Sequence, residues 1–224
     1  MKSRSKKNRI LLCSLGIIGF LELIPGCSDP SFNGADYNSF ALGNEYHYSG
    51  VSMKVSVDST RKVEGGWEFT VVYRDSSGAP LIREVYLKKA KNIWWKEFDA
   101  SELGWPRLTF DPPIIASPFS DQAGRIHIHE GYEIRRDARM TKLRIRVESV
   151  IEGLEDVRVS AGSFPACLHE KVTYSYLDST DTPFLGGEAH WWFARGVGAV
   201  KFRMPDGSGE LLSAKIHGGI LPDH

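Results

Sequence analysis

The sequence contains little cysteine and lacks the short motifs of several well-known enzyme classes. Its 224 residues include only three cysteines, Cys13, Cys27 and Cys167. It has no H-E-x-x-H and no C-x-x-C pair, so no common zinc motif is present. It also has no G-x-S-x-G nucleophile turn and no glycine-rich phosphate loop. We therefore expect no cofactor and no catalysis of these kinds.

An excess of positive charge is also missing. The whole chain carries 28 basic and 28 acidic residues. Without residues 1–26, which contain five basic residues and one acid, the balance becomes 23 against 27, a formal charge of −4. Nucleic-acid binding requires a basic surface, so we expect no nucleic-acid partner.

The first 26 residues have the pattern of a bacterial export signal. Five basic residues without an acid precede a short apolar run over 10–21, and Glu22 follows. A positive head before a short apolar run is typical of a secretory signal peptide. The run is too short for a membrane span, which needs about 20 residues. We therefore assign 1–26 as a signal peptide.

The residues around Cys27 resemble a bacterial lipobox, with Leu23-Ile24-Pro25-Gly26 leading into the cysteine. The resemblance implies cleavage before Cys27 and attachment of diacylglycerol through a thioether, with acyl chains such as palmitate. Two or three acyl chains hold a protein stably on a bilayer. Ser28 after the cysteine implies the periplasmic face of the outer membrane in a Gram-negative cell. The expected location is therefore the cell envelope, with the membrane as a partner through Cys27.

The mature chain divides into a polar segment and one β-rich domain. Residues 27–39 are polar and rich in turn-forming residues, which predicts a flexible tether. Residues 40–224 form the domain. Cys167 is the one cysteine left in it after processing and lipidation, and we expect it to be buried as a small apolar side chain.

Alternation of apolar and polar residues dominates the domain. In the segment 142–150, Leu143, Ile145 and Val147 alternate with charged residues. This period of two is typical of antiparallel strands with one solvated face. The proline-rich segment 106–124 is expected to connect two groups of strands, because proline cannot donate to a central ladder. We predict an all-β fold of about eleven strands with little helix, built as a single curved antiparallel sheet, a half-barrel or a small sandwich.

Three segments of the domain resemble a group of bacterial β-rich lipoproteins of unassigned activity. They are "FALGNEYHYSG", "VRVSAGSFPACLHEKV" and "WWFARGVGAVKF". The resemblance implies the fold and the envelope location, and it implies no particular chemistry. Gly162 is expected in a tight turn with positive φ, and Gly196 and Gly198 at a bend or bulge.

Two histidines are candidate metal ligands. His127 and His129 share one face of a predicted strand, with Ile126 and Ile128 on the other. Such a pair could bind zinc or copper if His169, His190 or His217 supplied a third ligand. The simpler interpretation, which we favour, places the isoleucines in the core and both histidines on the solvated face.

Two tryptophan pairs are candidate ligand contacts: Trp94-Trp95 and Trp191-Trp192. Neighbours on a strand point to opposite faces, so one ring of each pair should be buried and the other outward. An outward ring could stack on a sugar or an acyl chain, or cover a sheet edge.

These observations leave three hypotheses open. The first is a non-enzymatic envelope lipoprotein that binds an apolar or amphiphilic ligand, or a protein partner, on a curved sheet. The second is a structural or assembly lipoprotein, which predicts an exposed apolar patch instead of a pocket. The third is a metal-assisted envelope hydrolase that uses His127 and His129.

Overall fold

The computed structural model describes residues 32–37, 39–50, 53–116, 118, 122–136, 140–178, 185–205 and 207–217. The described residues form a closed barrel of twelve antiparallel strands. The strands are β1 (Glu45–Tyr48), β2 (Lys54–Val63), β3 (Gly66–Arg74), β4 (Pro80–Lys89), β5 (Asn92–Asp99), β6 (Arg107–Ile115), β7 (Ile126–Arg136), β8 (Lys142–Val159), β9 (Gly162–Tyr176), β10 (Gly187–Ala194), β11 (Gly198–Met204) and β12 (Gly207–Lys215). Two short 3₁₀ turns, Gly34–Tyr37 and Ser101–Leu103, are the helical elements of the described chain.

The all-β prediction is confirmed, but the half-barrel or sandwich is corrected to a closed barrel. Strands that are neighbours in sequence pair in order from β2 to β12, and β1 joins the two ends. Glu45 of β1 pairs with Ser56 of β2 on one side and with Lys215 of β12 on the other. Closure leaves no exposed sheet edge, which removes the tendency of an open edge to pair with other chains. None of the helices among the described residues has the length and apolarity to cross a membrane.

Alternating burial along the strands follows the sequence pattern in most places. In β8, Ile145, Val147 and Ser149 are buried, whereas the residues between them are partly exposed. The expected positive φ of Gly162 is confirmed at 142°, but Gly162 is the first residue of β9, and the turn lies just before it at residues 160–161. Gly196, with φ of 71°, lies in the tight turn that joins β10 to β11.

The proline-rich segment differs from its prediction, because residues 107–115 form strand β6 rather than a connection. β6 pairs with β5 through Leu108 and Thr109 and again through Ile114 and Ile115, with the register broken between them. Pro112 and Pro113 lie in this break. Their missing N–H groups are therefore placed where this ladder has no pairs.

Strand β7 has the opposite orientation from the one we predicted. Ile126 and Ile128 are 61% and 53% exposed, whereas His127 and His129 are half-buried. Gly131 and Glu133 continue the histidine face and are buried. The expected assignment of the isoleucines to the core is therefore wrong.

The interior consists of three apolar clusters. The largest surrounds Leu108, Phe110 and Ile114 and includes Trp95, Ile145 and Val172. A second joins β1, β2, β3 and the far part of the β8–β9 hairpin, and it contains Cys167, which is fully buried as expected. Burial raises the pKa of the Cys167 thiol to about 11.

The N-terminal segment closes one end of the barrel. Phe32 and Tyr37 pack in the third cluster with Ile151, Leu168 and Phe193. The carbonyl of Asp36 accepts a hydrogen bond from the N–H of Gly196 (2.9 Å), and its carboxylate accepts one from Arg195 (2.9 Å). Part of the segment assigned as a tether, Phe32–Tyr37, is thus packed against the domain.

The β8–β9 hairpin extends beyond the rest of this end. Val157 and Val159 pack in the second cluster beside Leu211 of β12. At the hairpin turn, the N–H of Ala161 donates to the carbonyl of Leu211 (3.0 Å). Between Ile151 and Gly153 the register of β8 against β9 shifts, and this β-bulge places Glu152 outside the regular pairing.

Candidate functional site

The predicted signal peptide and the predicted lipidation residue Cys27 lie outside the described residues. Phe32 is the first residue that the structure describes. It is buried at the barrel end that contains the β10–β11 turn. The start of β7 lies at the same end, because the N–H of Gly124 donates to the carbonyl of Ile151 (2.8 Å). Exposed Ile126 and Ile128 therefore lie near the point where the N-terminal segment enters.

The predicted histidine pair lies on one face of β7, as expected from its spacing. The ring of His129 meets the edge of Trp94, with ring centroids 5.4 Å apart. Burial lowers the pKa of His129. Its Nε2 atom is buried and has no hydrogen-bond partner within the described part of the chain. The structure does not bring the pair together with His169, His190 or His217, so its metal role stays a prediction.

The four tryptophans divide between packing and surface roles. Trp95 is 8% exposed in the largest cluster, and its indole N–H donates to the carbonyl of Glu97 (3.0 Å). Trp191 packs on Phe193 and Phe202. Trp94 and Trp192 are half-buried, and each lies against histidine. None of the four is fully exposed, so ligand contact by these rings stays a prediction.

An open depression of ≈260 Å³ lies at the far part of the β8–β9 hairpin. It is lined by Asp156, Val157, Arg158, Ser163, Phe164 and Pro165. Half of these residues are polar, and no tryptophan is among them.

A compact group of histidine and glutamate side chains, which can bind metal ions or transfer protons, lies on neighbouring strands β8, β9 and β10. Trp192 of β10 pairs in register with His169 of β9, and His190 of β10 pairs with Lys171 of β9. On a strand, residues two apart share a face, so His190 and Trp192 both lie beside His169. The bulged residue Glu152 of β8 reaches the same place.

Two carboxylates and two imidazoles form a continuous chain here. His169 Nδ1 lies 2.6 Å from Glu155 Oε1, and His169 Nε2 lies 3.0 Å from His190 Nδ1. His190 Nε2 lies 2.9 Å from Glu188 Oε1. Both histidines are 8% exposed. The order is therefore carboxylate, imidazole, imidazole, carboxylate, and we call these four residues with Glu152 the imidazole–carboxylate cluster.

Surrounding groups hold this cluster in place. The ring of Trp192 stacks on His169 with centroids 4.4 Å apart, and its indole N–H donates to Glu155 Oε2 (3.0 Å). This hydrogen bond, followed by the one with His169, lowers the pKa of Glu155. The hydrogen bond with His190 lowers the pKa of Glu188. Both outer carboxyl groups are therefore ionised at neutral pH.

Glu152 completes a set of three possible metal ligands. Its Oε2 atom lies 3.3 Å from His169 Nδ1 and 3.9 Å from His190 Nδ1. Glu152, His169 and His190 each offer a ligand atom, and these atoms lie within 4.8 Å of one another. Two imidazoles and one carboxylate are donors that zinc and related divalent ions accept.

Buried acids also occur away from this cluster. Glu84, which is 6% exposed, accepts hydrogen bonds from the hydroxyls of Tyr73 (2.7 Å) and Tyr86 (2.8 Å). Burial raises the pKa of Glu84. Fully buried Glu133 is held by Arg135 (2.6 Å) and by the hydroxyl of Tyr176. These groups are satisfied by neighbours, as buried polar groups must be.

Sequence reasoning named His169 and His190 only as auxiliary ligands for the His127–His129 pair. Their mutual contact depends on the β9–β10 register, which joins residues 21 positions apart. One local signal was present, because Glu188 and His190 are two residues apart on one strand face and can hydrogen-bond there. Glu152 could not be identified, since its position depends on a bulge.

Comparisons with known proteins give two similar folds. No protein-family model matches the chain, and no curated protein matches it. A crystal structure of a "putative lipoprotein" from Parabacteroides distasonis is 15% identical, covering 84% of this chain and 100% of that chain with a TM-score of 0.48. A "putative exported protein" with a YmcC-like fold from Bacteroides fragilis is 14% identical, covering 78% of this chain and 96% of that chain with a TM-score of 0.38.

Proposed function

We propose that this protein is a lipid-anchored cell-envelope lipoprotein that acts as a non-catalytic binding module for a protein partner or an amphiphilic ligand. The observation that carries the proposal is the position of Phe32. It is buried in one end of the barrel, only five residues after the lipobox cysteine Cys27. Lipidation of Cys27 would therefore hold that end beside the bilayer.

The length of chain between Cys27 and Phe32 limits the distance between the barrel and the bilayer. An extended chain spans at most about 3.3–3.6 Å per residue, so five residues reach roughly 17 Å. A flexible tether over all of 27–39 would reach more than twice as far. The packed 3₁₀ turn thus restricts the barrel to the neighbourhood of the headgroups.

The binding surface we propose lies at the same end. Ile126 and Ile128 are more than half exposed on one face of β7, where alternation would otherwise place apolar side chains inward. Tyr132 on the same face is 38% exposed. Exposed apolar groups that cluster on one face commonly mark an interaction site. This surface supports binding of a partner or amphiphile on the outside of the barrel.

The anchor is tested by fractionation of cells that express Cys27→Ser, with Cys167→Ser as the matched control. We expect the wild-type and control proteins in the membrane fraction, with diacylglycerol on Cys27 at a new N-terminus by mass spectrometry. Cys27→Ser should lose the lipid and leave the membrane. An uncleaved, unmodified leader on the wild-type protein would refute the proposal.

The surface is tested by a photo-reactive amino acid at position 128, compared with one at exposed Ser77 in the β3–β4 turn. We expect a lipid or protein adduct at position 128 that mass spectrometry identifies, and none at position 77. Equal labelling at both positions, or none at 128, would contradict a binding role for this face.

A further inference from the structure

We propose that Glu152, His169 and His190 form a binding site for one divalent transition-metal ion, with zinc as the best fit to the donor set. The site lies on the outer part of strands β8, β9 and β10 and involves neither His127 nor His129. This metal site goes beyond the proposed function, because membrane anchoring and partner binding do not require it.

The first argument concerns protons. A neutral imidazole carries one N–H, and an ionised carboxylate can only accept hydrogen bonds. His169 must therefore donate from Nδ1 to Glu155, and His190 from Nε2 to Glu188. The two remaining nitrogens, His169 Nε2 and His190 Nδ1, then present lone pairs to each other at 3.0 Å. A metal ion bound by both nitrogens would remove this opposition.

The second argument concerns distances. In a tetrahedral zinc site with Zn–N bonds of about 2.0–2.1 Å, two ligand nitrogens lie roughly 3.3 Å apart. The observed separation of 3.0 Å requires only a small opening. Glu152 Oε2 is 3.9 Å from His190 Nδ1 but closer, at 3.3 Å, to His169 Nδ1, the nitrogen that binds Glu155. Binding of the ion therefore requires the Glu152 side chain, which is 37% exposed, to rotate towards His169 Nε2 and His190 Nδ1.

The third argument concerns the surroundings of the ligands. Metal-binding histidines usually donate their other N–H to a carboxylate, which fixes the ring and increases its basicity. Glu155 and Glu188 have this role for His169 and His190. Trp192 packs over His169 and also holds Glu155.

Local charge favours a cation over an anion. Three carboxylates, those of Glu152, Glu155 and Glu188, surround the two rings. Lys171 is the cation nearest to them, with Nζ 3.9 Å from Glu152 and 3.7 Å from Glu188. Three protein ligands leave one tetrahedral position for water or a small ligand from solvent, as in zinc sites with an open position.

A proton shared between His169 Nε2 and His190 Nδ1 is the alternative to a metal ion. The presence of Glu152 distinguishes the two. A proton between the rings is held by two nitrogens alone, whereas a metal ion needs the third oxygen. Substitution of Glu152 therefore separates the alternatives.

The test uses the full lipidated protein in detergent, purified without a histidine tag, stripped with a chelator and titrated with Zn²⁺ by calorimetry. We expect one ion per chain, and a Co²⁺ absorption spectrum typical of tetrahedral nitrogen and oxygen ligands. Glu155→Gln should weaken binding about 10–100-fold. Glu152→Gln and His190→Gln should weaken it by at least as much. His47→Gln, on an exposed position of β1, should leave it unchanged.

Loss of folding is controlled by the far-ultraviolet circular dichroism and melting temperature of each metal-free variant. Glu152→Gln keeps the size of a partly exposed side chain and should melt like the wild-type protein. The proposal is overturned if no stoichiometric binding occurs, or if Glu152→Gln and His190→Gln bind as tightly as wild type. It is equally overturned if His129→Gln abolishes binding instead.

Discussion

Removal of one hydroxyl beside buried Glu84 gives a quantitative test of the barrel interior. Tyr73 and Tyr86 both donate to the same carboxylate oxygen, at 2.7 and 2.8 Å. Tyr73→Phe deletes one donor and keeps the aromatic ring. A hydrogen bond to a charged group contributes about 1.5–3 kcal/mol, and one to a neutral group about 0.5–1.5 kcal/mol. The loss should therefore depend on the ionisation of Glu84.

The sign of the pH dependence follows from the pKa of Glu84. Burial raises this pKa in the folded state above the ordinary value of 4.5. The folded state then binds more protons than the unfolded state, so the contribution of Glu84 is complete below 4.5 and is lost as pH rises through the folded pKa. Tyr73→Phe removes a hydrogen bond that lowers the pKa, so the variant should lose stability more steeply with rising pH.

Urea denaturation followed by tryptophan fluorescence measures the effect. We expect Tyr73→Phe to reduce the free energy of unfolding by about 0.5–1.5 kcal/mol at a pH below 4.5, and by about 1.5–3 kcal/mol at a pH above the folded pKa of Glu84. Tyr132→Phe, on the exposed face of β7, is the matched control and should change it by less than about 0.5 kcal/mol. In Glu84→Gln the difference between the two pH values should shrink. Equal losses for Tyr73→Phe at both pH values would refute the reasoning.

Two further predictions concern the apolar core. Leu108→Ala removes a fully buried side chain from the largest cluster and should destabilise the barrel by about 2–5 kcal/mol in the same urea assay. The Cys167 thiol is fully buried with its pKa raised to about 11, so a thiol reagent near pH 8 should label it only as fast as the protein unfolds; rapid labelling of folded protein would contradict its position in the second cluster.

Local alternation made much of the barrel wall predictable, and non-local pairing made its closure unpredictable. The period of two in 142–150 identified Ile145 and Val147 as buried residues of β8, and Leu143 on the same face is half-buried. Closure depends on β1 pairing with β12, which joins Glu45 to Lys215. No local pattern in either segment encodes that contact. A curved open sheet and a closed barrel share the same alternation along each strand.

The candidate metal cluster was only partly visible for the same reason. Two of its ligands, His169 and His190, were recognised as histidines with metal-binding potential. The sequence grouped them with His127 and His129, because spacing on one strand is visible in sequence, whereas the structure places His169 and His190 against each other. Cross-strand proximity is not visible, and neither is the bulge that displaces Glu152.

Strand β7 shows why alternation cannot tell which face is inside. A shift of its register by one residue would bury Ile126 and Ile128, but it would reverse every other side chain on the strand. Fully buried Glu133 would then leave the hydroxyl of Tyr176 on β9. A larger residue would also take the place of Gly131, where an added Cβ atom would lie only 3.2 Å from the carbonyl oxygen of Pro112.

The polar half of β7 therefore fixes the orientation of its apolar half. Reversing the strand would turn Glu130 inward, away from Arg144, and an unpaired buried charge destabilises by about 3–5 kcal/mol. Exposed isoleucines are tolerated singly on many surfaces. Two on one face, at the barrel end where Phe32 is buried, are better explained by a surface that another apolar group covers.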